Sequence, residues 1–246
     1  MGKVYIGTSG WQYKHWKEIF YPENLPQKDW LKYYSQHFNT VEINSSFYRL
    51  PKRETFEKWK SQVGNNFIFS IKGNRFITHV KRLKDCREPL KRFFENADAL
   101  IKAKSKTNHV ILWQLPPNLK KDLIRLRTFL KTLPKNFRHA FEFRHENWMD
   151  AKVFELFEGQ KGMKVTAVLQ DWYDWPVLDK PIGDFVYIRF HGKKKLYSSN
   201  YENEELEEWV KKMRQWKKCG LDIYAYFNND ALGYAPDNAA ELRELI

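Results

Sequence analysis

The chain has 246 residues, of which 42% are hydrophobic and 17% aromatic, and this composition excludes an intrinsically disordered protein. Lys and Arg number 43 against 30 Asp and Glu, which gives a formal net charge of +13 at pH 7 and favours anionic partners. No run of residues approaches the roughly 18 apolar residues of a membrane span, and no charged leader precedes an apolar segment, so we expect a cytoplasmic protein without a membrane partner.

Short apolar segments that alternate with amphipathic ones predict eight β-strands. In chain order the predicted strands are 4–8, 40–44, 67–72, 109–114, 139–144, 164–169, 185–191 and 222–227. Helical spacing of apolar residues predicts helices between most of them. These helices are 27–37, 53–63, 88–103, 121–132, 151–159, 203–217 and 238–245, and an irregular stretch rich in Trp and Pro covers 171–181.

This alternation is typical of parallel strands joined by crossover helices. Eight strand–helix units in about 250 residues match the size of a closed barrel. A doubly wound open sheet is the alternative, but the glycine-rich phosphate turn expected after its first strand is missing. No Pro- or Ser-rich linker divides the chain. The sequence therefore predicts an α/β protein that folds as a single TIM-type (β/α)8 barrel domain over residues 1–246.

Polar side chains recur on one face of the predicted strands, towards their C-terminal ends. Residues two apart in a strand share a face, and the outer face of a barrel strand packs on helices. The polar set should therefore point inward at the C-terminal end of the barrel, here called the mouth, where barrel enzymes carry out their chemistry. This set is Glu42, Asn44, Lys72, Gln114, Glu142, Arg144, Arg189, His191 and Asn228. An ionic network that only fills the barrel is the alternative interpretation.

Basic and aromatic residues also follow the strands. Three lysines at 193–195 come after the seventh strand, where barrels often bind phosphate, although a solvated basic loop has the same pattern. Aromatic rings in these loops can stack on sugars or bases, or they can seal the mouth. We predict that Trp11, Tyr48 and Tyr197 contact the ligand.

The sequence contains no recognisable metal site. Neither an HExxH nor a CxxC motif occurs, and Cys86 and Cys219 are far apart in the sequence, which suits a reducing compartment. His79, His145 and His191 could reach the mouth, but the Asp and Glu partners of a multi-metal phosphodiesterase do not accompany them at fixed spacing. We therefore predict no metal and no cofactor.

Several longer motifs stand at the predicted strand ends. They are GTSGW at 7–11, TVEINSSFYRLP at 40–51, Lys72 with ITH at 77–79, QLPP at 114–117, EFRH at 142–145, RFHG at 189–192 and FNN at 227–229. Together they resemble the YecE-like family, which is catalogued as domain of unknown function 72. The resemblance covers essentially the whole chain and implies a TIM-type barrel. It implies no established reaction, and kinship with barrel endonucleases or sugar isomerases would rest on the fold alone.

These residues lead to a functional hypothesis. We predict a metal-independent enzyme that acts on an anionic substrate such as a phosphorylated sugar or a nucleotide-like molecule. The catalytic acid and base would be Glu42, Glu142 and His191. The anionic group would be held by Lys72, Arg144 and Arg189, and the ligand would be oriented by Asn44, Gln114 and Asn228.

Three alternatives remain open at this point. They are a non-catalytic barrel that binds nucleic acid, a metal-dependent enzyme similar to phosphodiesterases or endonucleases, and a glycosidase that uses the two glutamates. The sequence carries no signal for the oligomeric state.

Overall fold

Eight parallel β-strands form a barrel in the computed structural model, which describes residues 1–101, 108–172, 175 and 180–246. The strands are β1 (Val4–Thr8), β2 (Thr40–Ile43), β3 (Ile68–Lys72), β4 (Val110–Gln114), β5 (Arg138–Glu142), β6 (Lys164–Trp172), β7 (Val186–Gly192) and β8 (Ile223–Phe227). From β2 to β8 each strand pairs with the next in sequence, and β8 pairs with β1. The predicted TIM-type fold class is confirmed.

Helices follow the strands around the outside of the barrel. They are α1 (Trp30–His37), α2 (Ser45–Tyr48), α3 (Arg53–Ser61), α4 (Arg87–Ala97), α5 (Leu123–Leu130), α6 (Ala151–Glu158), α7 (Asn203–Lys218) and α8 (Ala235–Leu245), with a π-helix at Phe76–Val80. The sequence did not predict α2 or the π-helix, because segments of four or five residues are too short to show a helical period. None of the described helices is both long and apolar enough to span a bilayer.

Two sequence predictions extend past the described residues. The predicted helix 88–103 corresponds to α4 and a 3₁₀ turn at Asp98–Leu100, and residues 102 and 103 lie outside the described part of the chain. Within the irregular stretch 171–181, residues 173, 174 and 176–179 also lie outside it. The sixth strand continues to Trp172, three residues past its predicted end at Leu169.

The barrel has two separate apolar clusters, one on each face of its strands. The larger cluster lies between the strands and the helices. The smaller one fills the barrel and includes Tyr187, Tyr224 and Tyr226. Because side chains alternate across a strand, Tyr187 inside the barrel places Arg189 on the same inward face, two residues nearer the mouth.

A hydroxyl group joins β1 and β2 where the barrel closes. Tyr34 of α1 accepts a hydrogen bond from the Thr8 amide at 2.9 Å and donates one to the Thr40 carbonyl at 3.0 Å. A Cβ atom on Gly7 would lie 2.3 Å from the same carbonyl oxygen, so only glycine allows the strands to approach this closely. The closure brings the residue after β1 into bridge contact with β2.

Candidate functional site

Arg189 on β7 is the centre of a buried ionic network at the mouth. Its Nε and Nη2 donate to Oε2 and Oε1 of Glu42 at 3.1 and 2.7 Å, and its Nη1 donates to Oε2 of Glu142 at 2.6 Å. None of the three side chains is more than 1% exposed. Burial lowers the pKa of Arg189, but the two glutamates outweigh this effect and raise it. One planar guanidinium therefore joins carboxylates from β2 and β5.

Each carboxylate oxygen of Glu42 accepts two hydrogen bonds. Besides the two bonds from Arg189, its Oε1 accepts from the Ser9 hydroxyl at 2.5 Å and its Oε2 accepts from the Tyr187 hydroxyl at 2.6 Å. Burial and Glu42 raise the pKa of Tyr187 well above its ordinary value, so the phenol keeps the proton that it donates. With four donors and no exposed surface, this carboxylate is fixed and shielded from water.

Glu142 at the end of β5 is held in the same way. Its Oε2 accepts from Arg189, and its Oε1 accepts from Gln114 Nε2 at 3.0 Å and pairs with Arg144 Nη2. Burial alone would raise the pKa of Glu142, but Arg144 and Arg189 outweigh it and hold the pKa well below the ordinary value. The carboxylate is therefore ionised throughout the neutral range.

His191 lies beside Glu142 with no exposed surface. Burial, together with the nearby arginines, lowers the pKa of His191 to about 3, so the ring is neutral. Its Nε2 is 3.2 Å from Arg144 Nη2, and its Nδ1 is 3.1 Å from Asn228 Nδ2. Nε2 also lies 3.6 Å from Glu142 Oε1, so each ring nitrogen of the neutral imidazole faces other side chains whichever tautomer is present.

A half-buried rim surrounds the network on its outer side, and we define it as Asn44, Lys72, Gln114, Arg144 and Asn228. Arg144 lies just past the end of β5, and its guanidinium carbon is 4.5 Å from the centre of the Trp172 ring. The Nε of Arg144 and the Oδ1 of Asn44 are buried and have no hydrogen-bond partner among the described residues. The rim therefore offers both a donor and an acceptor that the protein itself does not use.

Lys72 is the rim residue that no carboxylate neutralises. Its Nζ lies 4.5 Å from the centre of the Phe47 ring, and across the described ranges it forms no ion pair within 4.0 Å. Burial and the positive charge of Arg189 lower the pKa of Lys72 to about 8. A cation at this position can bind an anion, and its neutral form is accessible near physiological pH.

The structure brings most of the predicted site residues together. Hydrogen bonds or ion pairs link Glu42, Gln114, Glu142, Arg144, Arg189, His191 and Asn228 into one network, and Asn44 Nδ2 joins it by donating to the Ser9 carbonyl at 3.0 Å. Lys72 faces the same charges without a direct bond. Strand alternation therefore identified one contiguous set of side chains.

The three predicted ligand-contact aromatics are placed differently from one another. Trp11 is 3% exposed and packs edge-on against Trp59, with ring centres 5.1 Å apart, which favours a core role over a ligand contact. Tyr48 is 74% exposed. Tyr197 has a positive φ of 62°, and its ring centre is 5.4 Å from that of His191. Among these three, Tyr197 borders the network directly.

Sequence reasoning missed several neighbours of the network. Ser9 stands in the GTSGW motif immediately after β1, and Tyr187 shares the inward face of β7 with Arg189, so motif position and strand parity could have identified both.

A second cluster involves Asp230, which accepts from Trp16 Nε1 at 2.5 Å and pairs with His15 at 3.2 Å. Burial raises the pKa of Asp230 to about 6. Both partners of this acid come from a short 3₁₀ helix at Lys14–Trp16, which is too short for periodicity to predict a contact.

The acids of the network are bonded to arginines rather than grouped with other metal ligands. Across the described ranges, no three or more His, Cys, Asp and Glu side chains are arranged to hold a metal ion.

Comparison with known proteins gives consistent matches along the chain. A family model described as "Protein of unknown function DUF72" matches residues 5–246. The chain is 26% identical over 271 residues to the UPF0759 protein YunF of Bacillus subtilis, covering 99% of this chain and 94% of that protein. It is 30% identical over 256 residues to the UPF0759 protein YecE of Escherichia coli O157:H7, covering 95% and 89%. The crystal structure of a DUF72 family protein from Thermotoga maritima matches with a TM-score of 0.85 and 27% identity, over 99% of this chain and 98% of that one.

Proposed function

The chain belongs to the DUF72 family, and we propose that it is a metal-independent enzyme that binds a small anionic substrate at the mouth of its barrel. The observation that carries this proposal is the charge balance of the mouth. Three cations (Lys72, Arg144 and Arg189) face two carboxylates (Glu42 and Glu142), and His191 is neutral. The excess positive charge lies at the rim, whose residues are only partly buried. A phosphorylated sugar or a nucleotide-like molecule supplies the complementary anion.

The proposal divides the site residues into two groups by depth. Lys72 and Arg144 would contact the anionic group, and the rim amides would orient the rest of the ligand. Glu42 and Glu142 have no exposed surface, and their oxygens are already bonded to the protein. This geometry favours a supporting role in which they fix the arginines, whereas their acid–base role, like that of His191, stays a prediction.

The same geometry bears on the glycosidase alternative. Glycosidases place the sugar between two carboxylates, one on each side of the bond that breaks. Here the guanidinium of Arg189 stands between Glu42 and Glu142 and bonds to both. A sugar ring could enter that space only if Arg189 moved, so small-anion binding at the rim is the better-supported function.

Calorimetric titration tests the proposed site with three probes, namely inorganic phosphate, ribose 5-phosphate and adenosine 5′-monophosphate. We expect at least one probe to bind the wild type, and we expect Lys72→Gln to weaken it about tenfold or more, because a charge-assisted hydrogen bond contributes roughly 1.5–3 kcal/mol. Lys218→Gln, at an exposed lysine in the last turn of α7 that precedes β8 and so lies away from the mouth, is the matched control. Unchanged binding in Lys72→Gln, or no binding by any probe at millimolar concentration, would contradict the proposal.

A second candidate function is supported by a different surface. A groove of about 600 Å³ is lined by three cations (Arg49, Lys52 and Arg92), one acid (Glu88) and the partly exposed ring of Phe76. Among the described residues, these three cations have no ion-pair partner. Unpaired cations beside an exposed ring are typical of surfaces that bind single-stranded nucleic acid.

A further inference from the structure

Among the predicted site residues, four carry a carboxylate, imidazole or amine that could transfer a proton or attack a carbon atom, namely Glu42, Glu142, His191 and Lys72. The first three have no exposed surface. Both carboxylates accept hydrogen bonds on each oxygen. Whichever nitrogen of neutral His191 carries the lone pair, it lies 3.2 Å from Arg144 Nη2 or 3.1 Å from Asn228 Nδ2. Lys72 is therefore the one of these four residues that is not fully buried.

The backbone around Lys72 is held firmly. The Ser46 hydroxyl donates to the Lys72 carbonyl at 2.6 Å, and the next amide, that of Gly73, donates to the Leu112 carbonyl at 2.8 Å. The side chain therefore projects from a fixed point at the end of β3. Its amino group lies against the Phe47 ring, which supplies no proton acceptor, and the residue is only partly buried.

The surroundings of Lys72 favour the neutral amine more than a surface position does. The titratable and charged groups that face it are Glu42 from β2, His79 from the π-helix, Glu142 and Arg144 from β5 and its following loop, and Arg189 from β7. The two glutamates are already neutralised by arginines. The charges of this set therefore largely balance, and burial is the main reason why the neutral amine of Lys72 is favoured.

We propose that Lys72 is the catalytic amine of the mouth and that it forms an imine with the carbonyl carbon of an anionic aldehyde or ketone. This inference rests on the proposed function, because Arg144 would hold the anionic group while the amine reacts. It names a substrate class, since only an anion with a carbonyl group satisfies both partners.

The reaction is a balanced condensation without oxidation or reduction. The lone pair of the Lys72 nitrogen attacks the carbonyl carbon, a C–N bond forms, and the carbonyl π electrons move to oxygen. A proton passes from nitrogen to oxygen and gives a carbinolamine. The C–O bond then breaks, and the oxygen leaves as water with the second hydrogen of the amine. Amine and carbonyl compound thus give imine and water.

Trapping with pyridoxal 5′-phosphate, an anionic aldehyde, tests the proposal on the wild-type protein. Sodium borohydride supplies a hydride that converts the imine to a stable secondary amine, and peptide mass spectrometry locates it. At pH 8 we expect Lys72 to be modified at least about tenfold faster than the exposed residues Lys28 and Lys120, because burial lowers the pKa of Lys72 to about 8 and favours its neutral amine. Equal rates at all three lysines would overturn the proposal.

A competition experiment separates this inference from the proposed function. Inorganic phosphate has no carbonyl group, and so it should slow the labelling of Lys72 only by occupying the anion site. Lys72→Arg keeps the charge and cannot form the imine, so it should bind phosphate and lose the adduct. Phosphate binding without preferential labelling would overturn the imine and leave the proposed function standing. Preferential labelling that phosphate does not slow would support the imine and contradict the proposed anion site.

Discussion

Each end of the barrel buries an arginine, but the charge of the arginine is balanced differently at the two ends. At the N-terminal end, Arg138 bonds to Asp222 at 2.6 Å and lies 5.5 Å from the rings of Phe185 and Tyr224. One acid balances one base there, and aromatic rings cover the remainder. At the mouth, Arg189 binds two carboxylates and further cations surround them. A buried charge alone does not indicate a site, whereas an uncompensated set of charges next to solvent does.

The largest expected effect of this difference is on stability. Arg189→Met removes the partner of two fully buried carboxylates, and we expect it to lower the free energy of unfolding by about 3–5 kcal/mol or more. Arg138→Met should cost less, about 1–2 kcal/mol, because Asp222 is 20% exposed and can be rehydrated. Urea denaturation at pH 7 measures both.

Two controls complete this comparison. Arg189→Lys should not restore stability, because an ammonium group cannot form the same three directed bonds. Arg127→Met, at an exposed helical position, reports the effect of losing an unburied arginine. Equal losses at Arg189 and Arg138 would show that the two ends do not differ in the way described.

A smaller effect on the free energy of unfolding is expected when the pH is lowered. Because the pKa of Glu142 is held well below its ordinary value, its charged form stabilises the fold above the unfolded-state pKa of about 4.3, and this contribution is lost as the pH falls through the folded-state pKa. Glu142→Gln lacks the contribution at every pH. The stability difference between wild type and Glu142→Gln should therefore be constant above about pH 5 and shrink below it, by at most about 1.4 kcal/mol per pH unit.

The corresponding change at the other end is Asp222→Asn. The pKa of Asp222 is also lowered, since the Lys3 amide and Arg138 outweigh the effect of burial, but the side chain is partly hydrated. We expect a difference of the same sign and smaller size, measured by urea denaturation from pH 7 to pH 3. A pH-independent difference for Glu142→Gln would mean that its carboxylate does not stabilise the fold as an anion.

The alternation of side chains along each strand predicted which residues belong to the network. It did not predict how deeply each of them is buried. Alternation along β7 places Arg189 and His191 on the inward face, and the same rule applies to Glu42 on β2. Spacing along a strand does not say which arginine will hold two carboxylates and which will lie at the rim. Rotamers and the closure of β1 against β2 decide this, and both depend on contacts such as Tyr34 with Thr40 that are set by the tertiary structure.

The aromatic residues show a second limit of sequence reasoning. Trp11 and Tyr197 both follow strands, and composition could not separate a ring buried against Trp59 from one beside His191. The basic loop shows the same limit. The run at 193–195 suggested a phosphate region, yet Lys193 lies within 3.8 Å of Glu205 and of Glu208, and these partners come from α7, beyond the reach of a local pattern.

The smallest effect that we predict concerns nucleic-acid binding outside the mouth. It tests whether a positively charged surface beyond the rim binds a single-stranded oligonucleotide. Lys193 and Lys194 are paired with Glu205, Glu208 and Glu202, whereas Arg49 and Arg92 in the groove have no ion-pair partner among the described residues. For a single-stranded oligonucleotide, we expect Arg49→Gln with Arg92→Gln to reduce the slope of log K against log salt by about 1.4, since each phosphate contact contributes about 0.7. Lys193→Gln with Lys194→Gln should leave the slope nearly unchanged, because their charge is already balanced. Fluorescence anisotropy over a range of salt concentrations measures both slopes. A larger change in the lysine variant would place the polyanion on the loop after β7, and the absence of oligonucleotide binding in the wild type would confine the excess charge to small anions at the rim.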